Sequence, residues 1–112
     1  MIYKSFSDAE LFSGETNKTY EYNIEDSDIN YCIVEINGRF PLKGRLMNEV
    51  CKEMVHILEG EGILVVEGKT YKLQKDDVAL IKQYEKYYWE GNMRVGASCT
   101  PSWYPEQSKN VE

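Results

Sequence analysis

The sequence predicts an all-β, antiparallel fold of the double-sheet jelly-roll type. Three observations carry that prediction. Apolar residues come in about eight short runs rich in β-branched and aromatic side chains, with turn residues every 8–12 positions or so. No stretch sustains the 3.6-residue periodicity of a long amphipathic helix. The 112-residue chain is 42% hydrophobic and 12% aromatic, which suits one core and a single domain spanning 1–112. A jelly roll is one of the few arrangements by which short strands hide their sheet edges.

The elements are taken in chain order. Asp8-Ala9-Glu10-Leu11-Phe12 is predicted to form a short helical turn, capped by Ser7 or Asp8 and stopped by Ser13-Gly14. Tyr20 to Ile24 alternates like a strand. Tyr31-Cys32-Ile33-Val34-Glu35-Ile36 is a second, ending at the turn signal Asn37-Gly38. Pro41 makes Phe40 to Gly44 irregular, and Leu46 to Val50 is short and mixed. Met54 to Leu58 and Ile63 to Val66 read as two strands separated by a Glu59-Gly60-Glu61-Gly62 turn. Glu67-Gly68 turns the chain again, Tyr71 and Leu73 alternate, and Gln74 to Asp77 leads into Val78-Ala79-Leu80-Ile81. Tyr84 to Trp89 is dense in aromatics, Met93 to Thr100 is a last strand, and the tail is expected to fray after Gln107. The division is N-terminal strands 1–37, barrel core 38–100 and tail 101–112.

A formal net charge of −6 excludes a duplex nucleic-acid binder, which needs a basic face, and an anionic membrane surface. Neither a secretory start nor a membrane-length apolar run is present, so a cytoplasmic protein is expected. Cys32, Cys51 and Cys99 form no CxxC pair and read as reduced thiols, with Cys99 buried and inert on its strand.

The run from Asn48 through Ile81 resembles the cupin superfamily of small jelly-roll barrels. Glu53 followed by six residues and Gly60 matches the end of the family's first motif. Ile63-Leu64-Val65-Val66, Glu67-Gly68, Tyr71-Lys72-Leu73 and Lys75-Asp76-Asp77-Val78-Ala79-Leu80-Ile81 reproduce the family's downstream succession of strands and turns, with Asp76 in the place of a glycine. Thr100 to Gln107 is similar to the tail of some small single-domain cupins. The resemblance implies a double-stranded β-helix and a ligand site inside the barrel. Family members that bind metal use an H-x-H before the glutamate and a later histidine. The H-x-H slots fall on Met47 and Glu49, or on Leu46 and Asn48 by the alternative spacing, and the later slot falls on Tyr87. Of the expected ligands only Glu53 is kept, so no metal and no cofactor are expected.

His56, the only histidine, shares its strand with Glu53 but differs in parity. It therefore faces away from the site, packed under the N-terminal strands or at a subunit contact. The predicted pocket is lined by Met47, Glu49, Glu53, Tyr87 and Trp89, with Glu53 and Tyr87 as candidate acid–base residues. Aromatic walls and polar tips suit a sugar-like or small polar or aromatic ligand. The leading expectation is a small-molecule-binding barrel that has lost its metal triad and is not necessarily catalytic. One alternative is a metal-free isomerase or epimerase acting on a sugar or small polar substrate. Another is an enzyme holding a weak cation on Glu49 and Glu53. A homodimer is expected from the family habit and from the apolar surface left over.

Overall fold

The computed structural model describes residues 1–112. It consists of β1 (Glu10–Ser13), β2 (Asn17–Glu21), β3 (Asn30–Phe40), β4 (Arg45–Asn48), β5 (Lys52–Val66), β6 (Lys69–Gln74), β7 (Val78–Ile81), β8 (Tyr87–Thr100) and β9 (Ser108–Val111). All pairings are antiparallel and join the nine strands in one curled sheet. β8 is its spine, with β5 along one edge and β3, then β4, along the other. β6 and β7 succeed one another down the far edge of β5. No helix is long and apolar enough to cross a membrane.

Several boundaries differ from the sequence prediction, each for a physical reason. The first helical piece is a single 3-10 turn, Phe6–Asp8, because Asp8 bonds back to the Ser5 amide at 3.0 Å; Leu11 and Phe12 are already in a strand. Gly60 and Gly62 make no hairpin. They lie inside the 15-residue β5, where the backbone of β8 comes so close that a Cβ at either position would collide with it. Asn37-Gly38 likewise sits within β3, with Gly38 paired to Gly91. Only Glu67-Gly68 forms the tight hairpin turn, with φ of 49° and 77° as a two-residue loop demands. The tail does not fray after Gln107. It forms β9, which supplies hydrogen-bond partners to the otherwise open edge of β4.

The period-2 alternation of three neighbouring strands builds the core. Cys32, Val34, Ile36 and Phe40 of β3 stand opposite Ala97, Val95, Met93 and Trp89 of β8. On its other edge β8 meets Val55, Ile57 and Leu64 of β5. Leu58 is the extra residue of a bulge: Ile57 pairs with Val95, yet Glu59 pairs with Arg94. The bulge lies after His56, so the parity of Glu53, Val55 and Ile57 is undisturbed. These inward side chains form one cluster with Ile81 and Tyr87, each contributing on the order of 1.5–3 kcal/mol of burial free energy.

Candidate functional site

Glu53 enters the barrel interior because it is two residues upstream of Val55 on the inward face of β5. Its neighbours across the sheet are Cys99 of β8 and Ile81 of β7. The Cys99 thiol donates to Glu53 Oε1 at 3.6 Å, and the Asn48 side-chain NH2 donates to the same oxygen at 3.4 Å. Both contacts are long, so they compensate weakly for lost water. Burial wins, and the Glu53 carboxyl is pushed above the ordinary glutamate range. Glu53 lies deep in the fold yet keeps part of its accessible surface.

Other titratable groups gather round it. Tyr87 is 4% exposed and pushed well above the usual phenol range by burial, with the charge of Glu53 adding to the effect. Cys51 also lies within hydrogen-bond reach of Cys99, so the single Cys99 proton is shared between Cys51 and Glu53; that bond, then burial and Glu53, raise the Cys99 thiol, and the same bond lowers Cys51. Cys32 of β3 is raised by burial and then by the charges of Glu53 and Glu21. Glu21, paired with Cys32 across β2 and β3, brings a second carboxylate to the inner face. Burial raises its pKa, opposed by an Asn30 NH2 donating to its Oε1 at 3.3 Å. All three free cysteines therefore stand around one carboxyl group.

A cleft of about 350 Å3 opens beside this cluster along β6 and β7. Leu64, Tyr71, Leu73, Ala79 and Ile81 wall it, and the Glu85 carboxylate stands among them. The register puts Leu64, Tyr71, Leu73, Ala79 and Ile81 on the inward face, but Val78 and Leu80 of the opposite face also line the cleft, so it wraps the open edge of β7. Ile81 stands between it and Glu53.

The structure brings together Glu53 and Tyr87 of the predicted site and separates the rest. Met47 and Glu49 are off the inward face. Leu46 pairs with the inward Tyr87, so Leu46 and Asn48 are the inward members of β4, and Met47 alternates away opposite Lys109. Glu49 is 3.9 Å from Lys109 Nζ, outside the site. Trp89 faces inward but is 4% exposed within the core cluster, so it packs rather than offering a free wall. Tyr88 faces outward under the Arg39 guanidinium, 3.9 Å from its ring centre. His56 faces outward as its parity requires, but not under the N-terminal strands. The turn between β6 and β7 carries Asp76 to 3.2 Å from its Nε2.

The four positions that would form a cupin metal cage are thus Leu46, Asn48, Glu53 and Tyr87. An aliphatic chain, a carboxamide, one carboxyl and a buried phenol do not fit a transition metal. No three His, Cys, Asp or Glu side chains are gathered closely enough to hold an ion, and Glu49 and Glu53 do not converge. The sequence reading did not bring Glu21, Cys32 or Cys51 to the site, and it gave Asn48 only as an alternative slot, not as a pocket residue. Glu21 alternates inward on β2, but only the β2–β3 register relates it to Glu53.

This curled antiparallel sheet with an interior carboxyl is a cupin-type barrel. No protein-family model matches the sequence, and no curated protein matches it. Solved structures do match. Pac13 from Streptomyces, described as a nucleoside dehydratase and also solved with uridine, superposes with a TM-score of 0.91 at 13% identity, covering 100% of this chain and 92% of that one. Ectoine synthase from P. lautus gives 0.76 at 18% identity over 100% and 91%. The polyketide cyclase RemF from Streptomyces resistomycificus gives 0.78 at 13% over 100% and 86%. At such identities the likeness is one of fold.

Proposed function

We propose that this protein binds a small polar molecule inside its barrel, with Glu53 as the residue that recognises it. The observation that carries the reading is Glu53 itself: a deep carboxyl on the inward face of β5, raised toward its protonated form by burial. An apolar mouth leading to a few polar groups is the usual build of a small-molecule site. A ring bearing hydroxyls suits it, stacking on the walls while Glu53 hydrogen-bonds an OH or NH. That Pac13 has been solved with uridine makes nucleosides and sugars the first ligands to try.

A second reading is favoured by Tyr87. Its phenol lies within electrostatic reach of Glu53, and a carboxyl and a phenol whose proton affinities are both raised by burial are suited to acid–base chemistry on a bound substrate. This is the metal-free isomerase-type or dehydratase-type alternative. We also propose two copies per assembly. Met54, Val78 and Leu80 leave an apolar stripe on the outer face of β5 and β7. Sedimentation measures this directly.

Thermal-shift screening with nucleosides, sugars and small carboxylates tests the main proposal. A ligand should stabilise the wild type and lose its effect on Glu53→Gln. A ligand that stabilises both equally removes Glu53 from the site, and no stabilisation by any of them overturns the proposal.

A further inference from the structure

The C-terminal tail reaches the floor of this site through one side chain. Gln107 is 2% exposed and every polar atom of its carboxamide is engaged. Its Oε1 accepts from the backbone N–H of Val50 at 3.1 Å and of Cys51 at 3.2 Å. Its Nε2 donates to Asn48 Oδ1 at 3.0 Å. Its main-chain carbonyl accepts from the Glu49 N–H at 2.9 Å.

Those bonds have a polarity. A backbone N–H only donates, so Val50 and Cys51 require the oxygen of the Gln107 amide on their side. The Gln107 NH2 is then turned toward Asn48, which must answer with its own oxygen. The Asn48 NH2 is left pointing at Glu53 Oε1, with the buried Tyr87 phenol also within its hydrogen-bond reach. We propose that Gln107 is a positioning residue for the site: through Asn48 it fixes a hydrogen-bond donor on the Glu53 carboxyl group. The proposal rests on Glu53 being the group that meets the ligand.

The relay matters because few other groups help. Cys99 on β8 is the other donor to Glu53. Cys51 at the entry to β5, Cys32 on β3 and Tyr87 on β8 lie within electrostatic reach, Glu21 on β2 lies beyond Cys32, and none of these is a cation. β7 presents Ile81. If Asn48 turned over, its oxygen would face the Glu53 carboxylate and oppose ionisation. A residue from the tail thereby biases the protonation of a group on β5, within the larger effect of burial.

The experiment is a carbon-13 NMR titration of the Glu53 carboxyl in the wild type, Gln107→Glu, Asn48→Leu and the double variant. Glu at 107 still accepts from Val50 and Cys51, but presents an oxygen to Asn48. Asn48 must then turn its NH2 outward and its oxygen to Glu53. The Glu53 midpoint should rise in both single variants, and Gln107→Glu should raise it much less when position 48 is Leu. An equal rise with Asn and with Leu at 48 would mean that charge alone acts, and overturns the relay, as does an unchanged midpoint in either single variant. If Gln107→Glu does not fold, Gln107→Met removes the relay without adding charge: a raised midpoint supports it and an unchanged one overturns it. The titration needs no ligand, so a failed ligand screen leaves this result standing. A ligand bound through Glu53 with an unmoved midpoint overturns the relay alone.

Discussion

Cys99 of β8 stands directly opposite Glu53 of β5, with its thiol 3.6 Å from the carboxyl oxygen. A thiol is a weak donor, so this pairing leaves the cost of burying the carboxylate largely uncompensated. The first prediction comes from that imbalance. Folded Glu53 keeps its proton over a pH range in which the unfolded chain has released it. Its contribution to stability is therefore complete below the unfolded value of about 4.3 and is lost as pH rises through the raised folded value. Glu53→Gln removes this loss. Urea unfolding from pH 4 to pH 8 should show the variant gaining on the wild type as pH increases; a constant difference would show that Glu53 ionises freely.

The three thiols should be protected together. Cys51 and Cys99 are buried, so access protects Cys51 even though the Cys99 hydrogen bond lowers its pKa, and Cys32 is held protonated by burial and two carboxylates. Reaction with an aromatic disulfide reagent requires an accessible thiolate, so native protein should react on the order of a hundredfold more slowly than protein in urea. Fast labelling of one cysteine in native protein would show that the interior is open to bulky molecules.

Gly60 and Gly68 have nearly the same φ, 82° and 77°, in different surroundings. A Cβ at Gly68 meets nothing within 4 Å, whereas one at Gly60 overlaps the Asn92 carbonyl. Gly68→Ala should cost about 1 kcal/mol, the backbone penalty alone. Gly60→Ala should cost about 3 kcal/mol, because β5 and β8 must also separate. Equal unfolding midpoints would show that the close approach of the strands carries no energy.

Tyr87→Phe separates packing from chemistry at one position. The ring fills the same core volume, so stability should change by less than about 1.5 kcal/mol. If the phenol binds ligand or transfers a proton, ligand affinity or turnover should fall by about tenfold or more. A loss of stability with unaltered binding would assign Tyr87 to the core only.

Much of the barrel was legible in the chain. The motif spacing from Glu53 to Gly60, the Glu67-Gly68 turn and the inward parity of Glu53, Val55 and Ile57 rest on local rules, and all are present in the structure. Errors fell where distant backbone decides. Asn37-Gly38 and Gly60-Glu61-Gly62 carry turn chemistry, but each stays within a strand: Asn37 and Gly38 pair with Asn92 and Gly91, and β8 passes Gly60 and Gly62 at glycine-only distance. A single-residue shift on β4 exchanged Leu46 and Asn48 for Met47 and Glu49, since alternation gives two faces without saying which is inside.

The sequence alone determined the fold class, the outward direction of His56 and the loss of the histidine ligands, because these come from spacing and two-residue alternation along single strands. Only the tertiary structure decided the surroundings of Glu53. Glu21, Cys32, Asn48, Tyr87, Cys99 and Gln107 are scattered along the chain, and the antiparallel register that gathers them around one carboxyl is a property of strand pairing, which no local pattern encodes.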